Sequence, residues 1–168
     1  MKVFRLLPAF IVPVILLHPV YSEVRLSADE LNNKGMHELS AGNNGAAAEY
    51  FRQAIAADPL KKNYYNNLAA ACIRMKDYYS AEQHLKTALA IDPNYTKALS
   101  NMSVVLFKTG RYREAYKYYK RAEKTDPLYT NERFEKNRVL SRLKEESSRN
   151  PDDQNLKLII RQIESGSE

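Results

Sequence analysis

The sequence predicts an all-α protein of stacked antiparallel helix hairpins, and three observations carry that prediction. Asp-Pro pairs recur every 34 residues, beginning at positions 58, 92 and 126. Alanines recur at the same interval, 12 residues and 5 residues before each proline. Between these markers, apolar residues are spaced three and four apart, as on one face of a helix. A period in this range indicates repeated units that bury their apolar faces against one another.

Each unit is predicted to contain two helices. In the middle unit, Tyr65, Leu68 and Cys72 form one apolar stripe, and Ala81 and Leu85 begin a second stripe after a polar break. Each proline ends a unit, because proline cannot continue a helix and disfavours helical geometry in the residue before it. The predicted helices span residues 28–41, 45–57, 62–75, 78–90, 96–108 and 111–124.

The two ends of the array carry their own signals. Ser27 and Glu30 have the spacing of a capping box, which predicts a helix start at that point. After Pro127 we expect a charged helix over 130–147. A final helix would follow, with Asn150 as its N-cap and Pro151 in its first position. The apolar face of that final helix needs cover. It therefore folds back as a cap, or it mediates self-association or docks on a partner, or it stays unpacked.

The repeated positions resemble the tetratricopeptide repeat (TPR). In the 34-residue frame of that family, positions 4, 7 and 11 are hydrophobic and positions 8, 20 and 27 are small. The matching residues of the second and third units are Tyr65, Leu68, Cys72, Ala69, Ala81 and Ala88, and Leu99, Met102, Leu106, Ser103, Ala115 and Ala122. The first unit matches less well, with Lys34 and Glu38 at apolar positions. The resemblance implies a right-handed solenoid of three repeats (about 28–61, 62–95 and 96–129) within 23–128, followed by C-terminal capping helices over 129–168.

The first 22 residues have the pattern of a signal peptide. Lys2 and Arg5 precede an apolar run over 6–17, and Ser22 suits signal-peptidase cleavage directly after it. The alternative is an uncleaved membrane anchor, although about 20 apolar residues are needed to span a bilayer. We therefore expect an exported protein in the periplasm or cell envelope, and the choice of a bacterial envelope follows from the style of the signal.

Charge and composition restrict the class of partner. Residues 61–128 hold 13 basic and 6 acidic side chains, which suits an acidic protein or an anionic membrane surface, or is simply a solvated face. Nucleic acid does not fit an exported protein. Cys72 is the single cysteine and is predicted to face the helix interior, so stability must come from packing. No metal-ligand spacing, phosphate loop or nucleophile motif is present, so we expect no cofactor and no enzymatic activity.

The resemblance also suggests binding residues, because the first helices of TPR units line a concave groove. The sixth frame position is asparagine in every unit: Asn33, Asn67 and Asn101. This series resembles the asparagine ladder in the TPR superhelix of O-linked N-acetylglucosamine transferase, where side-chain amides bond the main chain of an extended peptide. An amide offers two donors and an acceptor, which matches a peptide unit of any sequence. Asparagine could also be merely tolerated there.

Further polar residues belong to the same predicted groove. Asn63 and Asn66 extend it, and Lys97, Arg74 and Lys108 are predicted to make an anion-favouring corner. A carboxylate clamp of the kind that chaperone-binding TPR domains use is not expected. Asn67 and Lys97 match two of its five positions, but the other three do not match. They hold Asn32, Met36 and Asn101, where the clamp has Lys, Asn and Arg.

Three functions remain open at this point. The leading one is a non-enzymatic scaffold or adaptor that binds a peptide or protein in its groove in the cell envelope. A second is a structural subunit of an envelope assembly that contacts its partners through the C-terminal helix. A third is a ligand-binding accessory of a transporter.

Overall fold

The computed structural model describes residues 26–165, and within that range the chain forms nine helices and no strand. The helices are α1 (Ala28–Ser40), α2 (Asn44–Ala57), α3 (Lys62–Arg74), α4 (Tyr78–Ile91), α5 (Thr96–Lys108), α6 (Tyr112–Thr125), α7 (Pro127–Arg133), α8 (Lys136–Arg149) and α9 (Gln154–Ser165). The first six pack as antiparallel pairs, and each pair packs on the next. The predicted all-α architecture, helix hairpins followed by C-terminal helices, is confirmed.

Local signals explain where the helices begin and end. The capping box of α1 is present, with the Glu30 amide donating to Ser27 Oγ at 3.2 Å and the Ser27 amide donating to Glu30 Oε2 at 2.8 Å. These bonds lower the pKa of the Glu30 carboxyl. Asp58 and Asp92 leave the helical conformation at the ends of α2 and α4, and each accepts a hydrogen bond from a turn amide. The bounds of the first six helices accordingly lie within one residue of those predicted.

The turn inside each repeat uses one residue with a left-handed backbone. Gly42 (φ 86°), Lys76 (φ 63°) and Gly110 (φ 78°) occupy equivalent positions, 34 residues apart. Glycine adopts this conformation without the steric penalty that other residues have. The second repeat therefore carries a strained lysine where its neighbours carry glycine.

The core lies between the paired helices, and small residues occupy the closest crossings. Ala47, Ala81 and Ala115 are at most 4% exposed, and so are the alanines seven residues after each of them. Cys72 is buried in the same core, as predicted, and burial raises the pKa of its thiol. Packing of these helices, with no disulfide in the described range, is what holds the array together.

The first repeat has a tighter variant of this packing. Gly35 of α1 lies against the ring of Phe51 of α2, which is completely buried. A Cβ atom added to Gly35 would lie 2.5 Å from Cε1 and 2.7 Å from Cδ1 of that ring. The absence of a side chain at Gly35 is therefore what admits the phenylalanine.

The region after Pro127 corrects two predictions. The single helix expected over 130–147 is two helices, α7 and α8, because Phe134 leaves the helical conformation and packs edge-on against Tyr119. The final helix begins at Gln154, because Asp153 Oδ1 accepts from the amides of Asn155 and Leu156. The predicted cap, Asn150, instead donates its side-chain amide back to Glu146 at the end of α8.

The apolar face of α9 folds back onto the array, one of the three outcomes that the sequence left open. Leu156, Ile159 and Ile163 are buried with Leu143 of α8. Aromatic rings of the third repeat, including Phe107, pack against this cluster. The third repeat is thus followed by a helical cap with its own small core.

The described range omits residues 1–25 and 166–168, so the predicted signal peptide over 1–22 lies outside it. Among residues 26–165, no helix combines the length and the apolar character that crossing a membrane requires.

Candidate functional site

The candidate site is the outward surface of the first helices, α1, α3 and α5, which lie side by side. We call it the first-helix face. It is formed by frame positions 2, 6, 9 and 13, counted from Ala28, Lys62 and Thr96. Along position 9 it is apolar, with Met36 exposed and Ala70 and Val104 half-buried. Along position 6 it carries the three predicted asparagines.

The asparagines at position 6 do not share one environment. Asn33 is exposed, Asn67 is half-buried and Asn101 is only 6% exposed. The gradient runs from the first repeat to the third. The environment of each amide therefore depends on which helices lie next to its own.

A network of side-chain amides joins the first helices to one another. Asn67 Nδ2 donates to Asn32 Oδ1 at 2.9 Å, and Asn101 Nδ2 donates to Asn66 Oδ1 at 2.9 Å. Both bonds connect a residue at position 6 with a residue at position 5 of the preceding repeat. Within α3, a longer bond of 3.4 Å joins Asn66 Nδ2 to Asn67 Oδ1. The network thus continues across all three repeats.

Arg133 of α7 closes the network at its C-terminal end. Its guanidinium donates to Asn101 Oδ1 at 2.5 Å. Asn101 is therefore held from both sides, by Arg133 on its oxygen and by Asn66 on its nitrogen. A side chain held in this way has a structural role in joining α3, α5 and α7.

The network still leaves hydrogen-bonding capacity on the first-helix face. A primary amide has two N–H donors, and Asn67 uses one of them on Asn32. Because its neighbours orient the amide, the direction of the second N–H donor of Asn67 is fixed. Asn33 is exposed and makes no side-chain hydrogen bond within residues 26–165. Asn63, at position 2 of α3, is half-buried beside them.

The predicted cationic corner is not formed. Arg74 and Lys108 end α3 and α5, whereas Lys97 lies in the first turn of α5. With a rise of 1.5 Å per residue, Lys97 and Lys108 are about 16 Å apart along the helix axis. Arg74 also donates to the Leu39 carbonyl oxygen at the end of α1. The cations are consequently spread over two edges of the face, because positions 2 and 13 are at opposite ends of a first helix.

A tyrosine–carboxylate pair supports the face from the first repeat. The Tyr64 hydroxyl of α3 donates to Asp29 Oδ1 of α1. Burial, followed by this bond and the nearby carboxylate charges, raises the pKa of Tyr64 to about 12. The hydroxyl stays protonated at neutral pH and so remains a donor that holds α1 against α3.

Sequence reasoning missed two parts of this region. One is Arg133, which lay inside a predicted capping helix with no sign that it reaches α5. The other is a cavity between the third repeat and α8 and α9, lined by apolar side chains from four helices. The 35-residue offset between Asn32 and Asn67, and between Asn66 and Asn101, was the one signal in the sequence that could have indicated the network.

Comparison with known proteins agrees with this geometry. Residues 60–126 match the family model of the tetratricopeptide repeat, which covers the second and third units. A search of curated proteins gave no match. Residues 60–126 are thus similar to tetratricopeptide repeats, and the α1–α2 pair has the same helix-hairpin form before the matched range.

Solved TPR structures have the same fold. The first TPR of Spaghetti (RPAP3), bound to the HSP90 peptide SRMEEVD, is 23% identical, with 83% of this chain and 92% of that chain covered and a TM-score of 0.60. The Arabidopsis OM64 TPR domain is 18% identical over 83% and 96% of the two chains, with a TM-score of 0.60. The Sgt2 TPR domain from Aspergillus fumigatus is 19% identical over 83% and 78%, with a TM-score of 0.58.

Proposed function

We propose that this protein is a non-enzymatic adaptor that binds an extended peptide segment of a partner protein on the first-helix face. The observation that carries the proposal is the state of Asn67, a half-buried amide held by Asn32 and Asn66 with one N–H donor unused. An oriented amide of this kind fits the carbonyl oxygen of a peptide main chain. TPR folds serve as protein-interaction scaffolds, which agrees with this role.

The surface around Asn67 suits an extended chain. Met36, Ala70 and Val104 provide a shallow apolar line beside the amides, where alternate side chains of a peptide could pack. Lys97 and Lys108 lie at the two edges and favour acidic side chains in the partner. Recognition of a terminal carboxylate is not proposed, because Asn32, Met36 and Asn101 stand at clamp positions and Asn101 is already bonded to Arg133.

The proposal is tested with a peptide array and two sets of variants. Chains carrying Asn33→Ala and Asn67→Ala are compared with chains carrying Asn131→Ala and Asn137→Ala, which are exposed asparagines on α7 and α8. Fluorescence anisotropy on the best-binding acidic peptide should show at least tenfold weaker binding for the first pair and no change for the second.

A modified peptide separates main-chain from side-chain recognition. Because the amide nitrogen of Asn67 would donate to a main-chain carbonyl and its oxygen would accept from a main-chain N–H, N-methylation of the central peptide bonds should weaken binding. Substitution of single peptide side chains by alanine should have smaller effects. The proposal that the first-helix face binds the peptide would be wrong if both sets of variants bound equally well, or if N-methylation of the peptide left its affinity unchanged.

We also propose that the protein works in the cell envelope after export. The basis is the sequence of residues 1–22, with its two cations, apolar run and Ser22. The intact mass of the chain recovered from an envelope fraction decides between cleavage and an anchor. A chain starting at Glu23 supports a cleaved signal peptide, a full-length chain in the membrane fraction supports an anchor, and recovery from the cytoplasm refutes export.

A further inference from the structure

A cavity of about 310 Å³ lies between the third repeat and the C-terminal helices. Its walls come from α5 and α6 on one side and from α8 and α9 on the other, with Phe134 from the connection between α7 and α8. Ligand pockets begin at about 300 Å³. The cavity exists because α9 folds back on the repeat without filling the space beside Tyr116 and Val139.

The walls of the cavity are mainly apolar. The third repeat provides aromatic rings and the C-terminal helices provide branched aliphatic side chains: Phe107, Tyr112, Tyr116, Val139, Leu143 and Ile159. All six also belong to the small core under α9. A cavity of about 150 Å³ with such a lining holds benzene. Twice that volume suits an apolar body of about ten carbons.

The polar groups around the cavity are predominantly cationic. Lys108, Lys120, Lys136 and Arg142 line it, against a single acidic residue, Glu123. Glu123 accepts from Lys120 Nζ at 2.6 Å and from the Tyr119 hydroxyl at 3.0 Å. Burial alone would raise the pKa of the Glu123 carboxyl, but these bonds outweigh it and lower the pKa. The carboxylate is therefore ionised, and its charge is already compensated.

Lys136 lies close enough to Glu123 to help lower the pKa of that carboxyl, which leaves two cations without such compensation. Lys108 and Arg142 are exposed, and neither makes an ion pair or a side-chain hydrogen bond within residues 26–165. They come from different helices, α5 and α8, at the edge of an apolar cavity. An apolar body inside and an anionic head at the edge would satisfy both features together.

We propose that this cavity binds one small amphiphilic anion, a chain of about ten carbons that ends in a carboxylate or a phosphate monoester. The chain would lie among the aromatic and aliphatic walls, and the head group would pair with Lys108 and Arg142. This site lies apart from the asparagine amides, although Val104 and Lys108 border both the first-helix face and the cavity. It goes beyond the proposed function and does not depend on it.

Isothermal titration calorimetry on the full chain tests the proposal with four probes of equal chain length: decanoate, decyl phosphate, decanol and decylammonium. Each is used below its micelle concentration. Decanoate or decyl phosphate should bind at least tenfold more tightly than decanol, and decylammonium should bind more weakly still. The ratio of the dissociation constants of decanoate and decyl phosphate shows which of the two head groups the site prefers.

Variants place the binding site. Lys108→Gln with Arg142→Gln should weaken decanoate binding about tenfold and leave decanol binding unchanged, whereas Lys117→Gln, an exposed cation of α6 that does not line the cavity, should change neither. Val139→Phe, which places an additional ring in the cavity, should weaken binding of both. The Asn33→Ala and Asn67→Ala chain should bind decanoate normally, so the peptide proposal can fail without this one.

Three results would overturn the proposal: no heat of binding from folded protein, equal affinity for decanoate and decylammonium, or decanoate binding that survives both sets of cavity variants. If Val139→Phe fails to fold, the Lys108 and Arg142 variants decide the question, because both residues are exposed and their replacement leaves the core intact. Amide chemical shifts in nuclear magnetic resonance spectra provide a second readout. They should move around α8 and α9 and stay fixed around Asn67.

Discussion

The first and third repeats share one 34-residue frame and yet use its positions differently. Asn33 of the first repeat is exposed, whereas Asn101 at the same position is buried between Asn66 and Arg133. The first repeat is followed by α3 alone along this face, while the third is followed by α7 and then covered by α8 and α9. The frame thus sets where a side chain points, and the next helix in space sets what it meets.

The cores of the two repeats differ in the same way. In the first, Gly35 and Phe51 fit tightly against each other, and the ring is completely buried. In the third, the equivalent residues are Ser103 and Tyr119, and both line the cavity. The first repeat is filled by one large ring, and the third leaves room for a ligand.

The largest expected effect comes from disturbing the tight pair. Gly35→Ala should destabilise the fold by about 1–3 kcal/mol, because the new Cβ overlaps the buried ring of Phe51 and overpacking costs that much. The higher helix propensity of alanine offsets only part of this cost. Denaturant unfolding followed by circular dichroism measures the change.

A second substitution provides the control for Gly35→Ala. Adding Phe51→Leu recreates the pair that the second repeat uses, Ala69 with Leu85. The double variant should be more stable than the sum of the two single changes predicts, since the smaller side chain makes room for the methyl group. Strict additivity would mean that the ring is not what excludes a side chain at position 35.

An intermediate effect is expected from the asparagines at position 6. Asn101→Ala should cost about 1–2 kcal/mol, since it leaves the oxygen of the buried Asn66 side chain without its donor and removes the acceptor of Arg133. Asn33→Ala, at the same frame position, should change stability by less than about 0.5 kcal/mol, as surface substitutions do. If thermal or denaturant unfolding showed equal losses of stability for Asn101→Ala and Asn33→Ala, the buried network around Asn101 would not be contributing to stability.

The smallest effect is expected at the positive-φ turn position of each repeat, where neighbouring helices make no contact with an added side chain. Gly42 and Gly110 have positive φ and no atom within 4 Å of an added Cβ. Replacing either by alanine should cost about 1 kcal/mol, the penalty of a left-handed backbone. Lys76→Gly should act in the opposite direction and stabilise by about 0.5–1 kcal/mol. Unequal costs at positions 42 and 110, measured by chemical denaturation, would show that the environment matters there as well.

The first six helices were predictable because their signals are local. Proline, the capping box at Ser27 and the turn at Gly110 act within a few residues, so the boundaries follow without knowledge of the tertiary structure. The exit of the chain from a helix at Phe134 was not predictable, because its cause is a ring contact with Tyr119 in another helix.

The candidate site was predictable only in part. Periodicity placed Asn33, Asn67 and Asn101 at equivalent first-helix positions. It could not show that the Asn101 side chain accepts a hydrogen bond from Arg133. Pairings such as Asn67 with Asn32 depend on how far neighbouring helices are offset, which a single sequence does not contain. The cavity depends on how α9 meets α6, and this too is a matter of tertiary packing.

The connections between repeats also differ in length. Four residues, 58–61 and 92–95, join the first two pairs to the helix that follows, whereas Asp126 alone joins α6 to α7. Asp126 both ends α6 and accepts from the Tyr129 amide as the N-cap of α7. After this single-residue connection the chain continues as α7, whose Arg133 donates to Asn101 Oδ1. Asp126 therefore marks the point at which the regular four-residue spacing between helix pairs gives way to the cap formed by α7, α8 and α9.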